Sequence, residues 1–250
     1  MTRLYTDDVQ LYDIAFTWDL DNEVSWLLER FGPDCRSVLE PGSGSGRMLE
    51  ALAGRGLHVV GIDVSEPMVA YSRERLAGAG VDAEVVHADM TTFELKRTFD
   101  AAVCPINTLL HLTPAELERH LVRMAEHLEA GARYLVQVGV FDGTDLPPPS
   151  EWNAARDGIA LHCLWAPVER DLDRRRETHR STIQVTAGPR RGEVVEELHR
   201  MTAWTPPTWR RATAESPFEE IATYDGGEAG RPQIELEHCG GLIWHELVAA

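Results

Sequence analysis

The chain has 250 residues, of which 43% are hydrophobic and 26% are charged, the proportions of an ordinary soluble globular domain. Twenty-four basic against 41 acidic residues give a net charge of -17, and such a field repels phosphate backbones and anionic membranes. We therefore expect no nucleic-acid partner and no membrane partner.

The amino-terminal segment MTRLYTDDVQLYD has no apolar signal-peptide core, so we expect a cytoplasmic protein. A helix is predicted over residues 24–31, because Gly32 and Pro33 supply a stop signal. The cysteines form no Cys-x-x-Cys pair, which predicts reduced, buried thiols and no metal site. They are Cys35, Cys104, Cys163 and Cys239.

From residue 37 to residue 140, short β-branched runs alternate with segments of helical period, a pattern typical of a parallel sheet covered by helices. Thr113 is a predicted N-cap, with Pro114 in the first turn and Glu116 near the positive helix end. The predicted strands are 37–40, 58–63, 83–87, 100–104 and 133–140, and the predicted helices are 47–53, 67–76 and 114–128.

After Phe141 a proline run breaks this alternation, and an arginine-rich segment with strand-like stretches follows. We predict an antiparallel cap over residues 146–205, inserted into a core made of residues 1–145 and 206–250. The predicted cap strands are 159–165, 176–185 and 194–204; a short helix follows from Pro206, then closing strands 218–224 and 242–248 on either side of a turn at Gly226 and Gly227.

The strongest local signal is VLEPGSGSG, an apolar strand that runs into three alternate glycines and then a helix. Glycine at such a bend lets the backbone approach a ligand, and the amides at the helix start face its polar groups. A dinucleotide fingerprint would require glycine where Arg47 stands. A tight turn without a ligand is the alternative.

Two acids follow predicted strands. Asp63 ends the second strand, where an acid faces the crevice and can accept both hydroxyls of a ribose; alternatively, it caps the helix that follows. Asp89 ends the third strand with Met90 after it, and the pair could take an adenine amino group and ring face. Asp89 could equally be a solvated loop acid.

The motifs VLEPGSGSG, VVGIDVSEPMVAYSRERL, AEVVHADM, FDAAVCPINTLLHL and LEAGARYLVQVGV occur in this order. The succession resembles the class I S-adenosylmethionine-dependent methyltransferases of the small-molecule type, closely over residues 37–140 and loosely over the closing strands. The resemblance implies S-adenosyl-L-methionine as cofactor. It also implies an α/β fold, a Rossmann-like, doubly wound seven-stranded sheet to which the antiparallel insertion adds a cap.

The resemblance also implies a set of cofactor-binding residues. Grouped by the part of the cofactor they would contact, they are Glu40, Gly42, Gly44 and Gly46 for methionine, Asp63 for ribose, Val64, Met68, Asp89 and Met90 for adenine, Cys104 for the sulfonium and Tyr12 for the carboxylate. Tyr12 could instead be a half-buried packing residue.

Methyl transfer from a sulfonium is an in-line displacement, so the acceptor must be held close to the methyl group. An amine acceptor must be neutral, and a hydroxyl or an acidic carbon must lose a proton. His111, after the fourth strand, is the candidate base; the alternative is a packing histidine at a helix start. Cys104-Pro105-Ile106-Asn107 differs from the Asn/Asp-Pro-Pro-aromatic run of nucleobase methyltransferases, which favours a small-molecule acceptor.

Period-two alternation places Leu161, Cys163 and Trp165 on one strand face, and His179 with Ile183 on one face of the next. A sheet with such residues over the site mouth suits a substrate cap. An arginine there could bind a carboxylate through two hydrogen bonds. Candidate substrate contacts, each of which could instead be structural, are Trp18, Trp165, His179, Arg180, His199, Arg200 and Trp204.

The sequence therefore predicts an S-adenosylmethionine-dependent methyltransferase that modifies nitrogen, oxygen or carbon of a small molecule, in specialised metabolism, as a monomer or homodimer. Two alternatives remain open at this point. One is a nicotinamide-dependent oxidoreductase, and the other is a non-catalytic, cofactor-binding regulatory subunit.

Overall fold

A computed structural model describes residues 2–227, 230–236 and 241–250. The strands in chain order are β1 (Ser37–Pro41), β2 (His58–Asp63), β3 (Ala83–His87), β4 (Phe99–Cys104), β5 (Leu128–Val140), β6 (Ser150–Arg156), β7 (Ile159–Asp171), β8 (Arg176–Ala187), β9 (Val194–Thr202), β10 (Phe218–Asp225) and β11 (Gly241–Ala249). The helices are α1 (Val9–Ala15), α2 (Asp21–Phe31), α3 (Arg47–Ala53), α4 (Glu66–Ala79), α5 (Pro114–Ala125) and α6 (Pro206–Ala214), with 3-10 turns at Arg3–Tyr5 and Thr108–His111.

The main sheet has seven strands in the order β10-β11-β5-β4-β1-β2-β3. Strands β1 to β5 run parallel, and β11 is antiparallel to both β5 and β10. Apolar side chains of the parallel strands are buried on both faces, as expected where helices cover both sides. The predicted α/β fold with a seven-stranded sheet and a separate antiparallel sheet is confirmed.

The order of the strands creates a crevice at their carboxyl ends. Strand β1 lies between β2 and β4. The chain therefore continues on one side of β1 through β2 and β3, and then crosses to the other side at β4. Ligands of open α/β sheets bind at such a switch point. The glycine turn after β1, Asp63 at the end of β2 and the 3-10 turn after β4 therefore meet at one edge of the sheet.

The second sheet is antiparallel, in the order β6-β7-β8-β9. The face that alternation predicted to be shared, carrying Cys163 and Ile183, is buried. It packs against Leu4, Leu11 and Ile14 of the amino-terminal segment, so α1 lies between the cap sheet and the core. The predicted boundaries of the cap, residues 146–205, remain a prediction.

Two elements have no counterpart in the sequence-based prediction. Strand β6 has the sequence SEWNAAR, and its side chains are half-buried or exposed because it is an edge strand. Helix α1 is short, and its burial depends on the distant cap rather than on its own pattern. Strand β5 begins at Leu128 rather than at residue 133, beside an irregularity in its pairing with β4.

The ends of the helices follow local sequence signals. Thr113 caps α5 through a capping box, in which its hydroxyl accepts from the Glu116 amide and its own amide donates to the Glu116 carboxylate at 2.8 Å. No helix in the described part of the chain is both long and apolar enough to cross a membrane. Cys239 lies outside the described residues, whereas Cys35, Cys104 and Cys163 are buried free thiols.

A buried carboxylate joins α1 to three other parts of the fold. Asp13 is fully buried; its oxygens accept from the hydroxyls of Ser45 at 2.6 Å and Tyr71 at 2.9 Å. Arg75 of α4 and Arg156 of β6 form ion pairs with it. Burial alone would raise the pKa of Asp13, but these hydroxyls and guanidinium groups outweigh it and hold the pKa below its ordinary value.

We predict that Asp13→Asn lowers the free energy of unfolding at pH 7 by about 2–3 kcal/mol, because it leaves the Arg75 and Arg156 guanidinium groups without their charged partner. Those guanidinium groups keep some contact with water, which places the loss at the lower end of the range for buried pairs. Urea denaturation measures it. The matched control is Asp21→Asn, which breaks the exposed pair with Arg55 and should change the value by less than about 0.5 kcal/mol.

The same substitution has a predicted pH dependence. Because folding lowers the pKa of Asp13, its contribution is complete above the unfolded value of about 3.9 and is lost as pH falls through the folded value. The difference between wild type and Asp13→Asn should therefore shrink below about pH 4. Equal stabilities at pH 7, or a difference that persists unchanged in acid, would contradict this role.

Candidate active site

The glycine turn after β1 has a shape that side chains would prevent. Gly42, Gly44 and Gly46 have φ angles of +66°, +53° and +79°, values that favour glycine. A Cβ on Gly42 would lie 2.4 Å from the Thr108 side chain, and one on Gly46 would lie 2.1 Å from the Ser72 hydroxyl. The turn is therefore pressed against both the 3-10 turn after β4 and helix α4.

A buried acid lies at the start of this turn. Glu40 is 3% exposed, and its Oε2 has no hydrogen-bond partner among the described residues. Burial raises its pKa well above the ordinary value; nearby Arg47 opposes the shift, and Asp63 reinforces it. An unsatisfied buried carboxyl of this kind is costly unless a donor binds it. The ammonium group of the methionine part of the cofactor is such a donor, so this site fits it.

Asp63 connects β2 to the glycine turn. Its Oδ2 accepts from the Gly44 amide and its Oδ1 from the Ser65 amide, both at 2.8 Å. Each carboxylate oxygen can accept a second hydrogen bond, so the pair can still take two ribose hydroxyls. The N-cap of α4 is Ser65, whose hydroxyl accepts from the Met68 amide. Burial raises the pKa of Asp63, and the backbone donors oppose that shift.

The residues assigned to adenine surround the ends of β2 and β3. Val64 is 48% exposed although it is apolar, and Met68 behind it is buried. Asp89 is exposed, and its Oδ1 accepts from both the amide and the hydroxyl of Thr91 at 2.7 Å. Met90 is half-buried, with its methyl group 3.1 Å from where a Cβ on Gly42 would be. An adenine ring between these side chains would cover Val64.

Tyr12 and Cys104 both contact the glycine turn or the residue before it. The Tyr12 ring covers Gly44, since a Cβ there would lie 3.8 Å from the phenol oxygen. The ring also contacts Phe16, with centroids 4.9 Å apart. Cys104 is fully buried, and its thiol donates to the Pro41 carbonyl at 3.5 Å. Burial raises the pKa of Cys104 to about 12, so the thiol is neutral.

His111 ends the 3-10 turn that contacts Gly42. Its side chain keeps contact with solvent, and the Tyr5 ring meets it edge-on with centroids 5.8 Å apart. The partial burial of the ring lowers its pKa, so His111 is neutral at pH 7 and can accept a proton. The same 3-10 turn packs Thr108 against the glycine turn, so His111 also lies beside the glycine turn.

His199 of β9 lies across from His111 and is buried. It stacks on Trp165 at 4.7 Å, its Nε2 pairs with the Ser181 hydroxyl at 2.8 Å, and its Nδ1 has no partner among the described residues. Burial lowers its pKa to about 4, with His111 and His179 adding to the shift. His199 is therefore neutral and has a free ring nitrogen.

A chain of polar groups holds Trp165 in place. Its indole N–H donates to His179 Nδ1 at 2.8 Å, so the other ring nitrogen of His179 carries the proton and donates to Glu177. Arg170 forms a buried ion pair with the second oxygen of Glu177. Burial would raise the pKa of Glu177, but His179 and Arg170 outweigh it and lower the pKa. These bonds fix the Trp165 ring that stacks on His199.

The structure thus brings three of the predicted substrate contacts together: Trp165, His179 and His199. Arg180 and Arg200 alternate onto the outer face of the cap, where Arg180 lies 3.6 Å from Glu196. Two predicted tryptophans occupy other surroundings: Trp18 is 44% exposed beneath the Arg47 guanidinium, and Trp204 is buried in the core beside Trp209.

Three residues of this site, Tyr5, Arg170 and Glu177, are not among those predicted from the sequence. Glu177 lies two residues before His179 on the same strand, so alternation could have placed it on the buried face. Arg170 has its partner across the β7–β8 pair, and Tyr5 reaches the site through a 3-10 turn. Those two contacts depend on tertiary structure.

Comparison with known proteins gives consistent matches. Residues 38–131 match the family described as Methyltransferase domain. The chain is 30% identical over 214 residues to dTDP-3-amino-3,6-dideoxy-alpha-D-glucopyranose N,N-dimethyltransferase of Streptomyces fradiae, covering 84% of this chain and 80% of that protein. A solved amino pentose methyltransferase from Micromonospora echinaspora, bound to S-adenosylmethionine, has a TM-score of 0.75 at 23% identity over 96% of this chain and 97% of that one. A methyltransferase from Clostridium acetobutylicum has a TM-score of 0.78 at 14% identity over 98% of both chains.

The chain belongs to the S-adenosylmethionine-dependent methyltransferases of the small-molecule type. It is an enzyme that transfers the methyl group of this cofactor to a small molecule. The cofactor supplies an activated methyl group on a positively charged sulfur. The protein must bind it, exclude water around it and orient an acceptor in line with the methyl group.

We predict that Asp63→Ala weakens binding of S-adenosylhomocysteine by about 10- to 150-fold, because the ribose loses a charged hydrogen-bond acceptor and the Gly44 amide loses its partner. Isothermal titration calorimetry measures the affinity. Asp82→Ala, which removes an exposed acid just before β3, is the control and should bind as wild type does. Wild-type affinity in Asp63→Ala would exclude the ribose role.

Proposed function

We propose that this enzyme N-methylates the amino group of a nucleotide-linked deoxyamino sugar. The supporting observation is the acceptor side of the site, where neutral histidines and aromatic rings face the cofactor turn. Two relatives are N,N-dimethyltransferases of dTDP-linked 3-amino sugars, from Streptomyces fradiae and Streptomyces venezuelae, the second 26% identical over 215 residues. An amine requires no metal ion to become a nucleophile, provided that it is neutral.

In this proposal the cofactor lies along the crevice with its methionine part at Glu40 and the three glycines. Its ribose binds Asp63, its adenine lies between Val64, Met68, Asp89 and Met90, and its carboxylate lies beneath Tyr12. Cys104 lies at the bottom of the crevice, near the sulfur of the cofactor. Support comes from the unpartnered Glu40 oxygen, the spare acceptor capacity of Asp63 and the exposed apolar surface of Val64.

The acceptor would lie between the 3-10 turn after β4 and the cap. The rings of Tyr5, Trp165 and His199 form an apolar wall there that suits the C–H face of a sugar ring. With its proton on Nε2 and donated to Ser181, His199 would accept a hydrogen bond from a sugar hydroxyl at the free Nδ1. His111 would take the proton that the amine must lose.

Other parts of the proposal concern the protein as a whole. Several outer arginines of the cap are paired with acids, among them Arg174 with Asp171 and Arg190 with Glu193; this pairing supports a small-molecule acceptor rather than a nucleic acid. We also propose a cytoplasmic monomer or homodimer, with residues 146–205 as the cap and a role in specialised metabolism.

The acceptor class is tested by supplying wild-type enzyme and S-adenosylmethionine with dTDP-3-amino-3,6-dideoxyglucose and with its 3-hydroxy analogue. We expect one or two methyl groups to be added to the amino sugar and none to the hydroxy sugar, as measured by mass spectrometry. Methylation of the hydroxy sugar, or of neither compound while S-adenosylhomocysteine still binds, would refute the amino-sugar assignment.

We predict that His111→Ala lowers kcat by about 100-fold with the affinity for S-adenosylhomocysteine unchanged. A base acts when deprotonated, so kcat of the wild type should fall as pH drops below the His111 pKa, which lies under about 6.5. This acid limb should be absent in the variant. His162→Ala, which removes a histidine that pairs with Asn153 and Glu151 on the cap, is the control and should keep wild-type kcat. An unchanged rate in His111→Ala would exclude it as the base.

A further inference from the structure

A fully buried histidine on α5 contacts the loop assigned to adenine. His120 Nδ1 lies 3.0 Å from the Met90 carbonyl, and its Nε2 lies 2.8 Å from the Tyr134 hydroxyl. A carbonyl can only accept, so Nδ1 carries the proton and Nε2 accepts from Tyr134. Burial lowers the pKa of His120 to about 4, so the ring is neutral at neutral pH and its two partners select this tautomer.

A second buried hydrogen bond lies beside this pair, next to the glycine turn. The Tyr134 hydroxyl lies beside the Cys104 thiol, and that thiol donates to the Pro41 carbonyl at 3.5 Å. All three of His120, Tyr134 and Cys104 are fully buried in the core. One of these buried groups thus bonds the carbonyl of Met90, and the other bonds the carbonyl of Pro41, the residue that precedes Gly42.

Apolar side chains of similar shape would fill the same space without the cost of burying polar groups. These buried polar groups instead bond the backbone of the two loops that the cofactor would contact. The Asp89 side chain holds Thr91, whereas the Met90 carbonyl is bonded from α5 by His120.

We propose that His120 is a positioning residue for the cofactor: its hydrogen bond to the Met90 carbonyl fixes the loop against which adenine packs, and Tyr134 selects the tautomer that makes this bond. The inference rests on the cofactor placement given above and is independent of the acceptor. It predicts that loss of the bond affects the adenosine part of the ligand and not its amino-acid part.

The experiment measures calorimetric affinities for two ligands, S-adenosylhomocysteine and 5′-methylthioadenosine, which lacks the amino-acid part. His120→Leu should weaken both by the same factor, about 10-fold, because the lost support lies at the adenine end. His120→Asn keeps an N–H at the position of Nδ1 and should restore both affinities to within about 3-fold of wild type. With substrate, the KM for S-adenosylmethionine should rise in His120→Leu while kcat changes little.

His127→Leu is the matched control. His127 is also a buried histidine, just beyond the end of α5, where its ring bonds the Leu95 amide and the Arg123 carbonyl and packs on Phe93. Its replacement removes as many hydrogen bonds but none at Met90, so both ligand affinities should stay at the wild-type value. Thermal unfolding of each variant shows that it is folded.

Several outcomes would overturn the proposal: wild-type affinities in folded His120→Leu, weakening of S-adenosylhomocysteine alone, or equal weakening in His127→Leu. If His120→Leu does not fold, Tyr134→Phe replaces it; it should weaken both ligands by a smaller, equal factor, and no change would overturn the proposal. Failure of wild-type protein to bind either ligand would overturn it together with the cofactor placement. Failure of the amino-sugar assay with both ligands bound normally would affect the acceptor assignment alone.

Discussion

The buried carboxylate of Asp13 is the interaction on which the arrangement of this molecule depends. It accepts from Ser45 in the glycine turn and from Tyr71 on α4, and it pairs with Arg75 on α4 and Arg156 in the cap. A charge taken out of water is stable only while its partners are present. The amino-terminal helix, the cofactor turn and the cap sheet therefore hold their relative positions together.

The consequence for function follows from the position of the neighbouring residue. Tyr12 precedes Asp13 on α1, and its ring covers Gly44. The carbonyl of Tyr5, one turn before α1, accepts a hydrogen bond from the Ser65 hydroxyl that caps α4. The Tyr5 ring contacts both His111 and His199. The amino-terminal segment thus covers the glycine turn through Tyr12 and lies against His111 and His199 through Tyr5. In the proposed function the cofactor and the acceptor would therefore both contact this segment.

The parts of the fold that the sequence predicted are those with local signals. Strands β1 to β4 are short β-branched runs, and the glycine turn is specified by the residues that form it. Their geometry agrees with the prediction because a positive φ angle or a capping box involves only neighbouring residues. The position of Asp63 at a strand end, from which its ribose role is predicted, is the one observed, and its side chain accepts from the Gly44 amide there; the ribose role itself stays a prediction.

The parts that the sequence did not predict depend on distant partners. Helix α1 is buried by the cap sheet, and β6 is a half-exposed edge strand of that sheet; neither has a periodic apolar pattern long enough to identify it. The pairing of Arg170 with Glu177 and of His120 with Met90 requires the sheet register and the packing of α5. Arg180 and Arg200 were grouped with His179 and His199 by composition, but each arginine follows its histidine by one residue and so faces the opposite side of the sheet.

The distribution of charge in the site explains how an amine could react here. Transfer moves a positive charge from sulfur to the acceptor nitrogen, after which that nitrogen must release a proton before it can be methylated again.

The charge of Glu177 is compensated by Arg170, and the neighbouring histidine His199 is neutral, so the proposed acceptor wall carries little net charge. No net negative charge on that wall would therefore stabilise a proton bound there. His111 keeps contact with solvent, whereas His199 is buried against Trp165 and bonded to Ser181. In the proposed function His111 would pass a proton to water, and the buried ring of His199 would orient the acceptor. Proton removal would then belong to the 3-10 turn beside the glycine turn, and recognition to the cap.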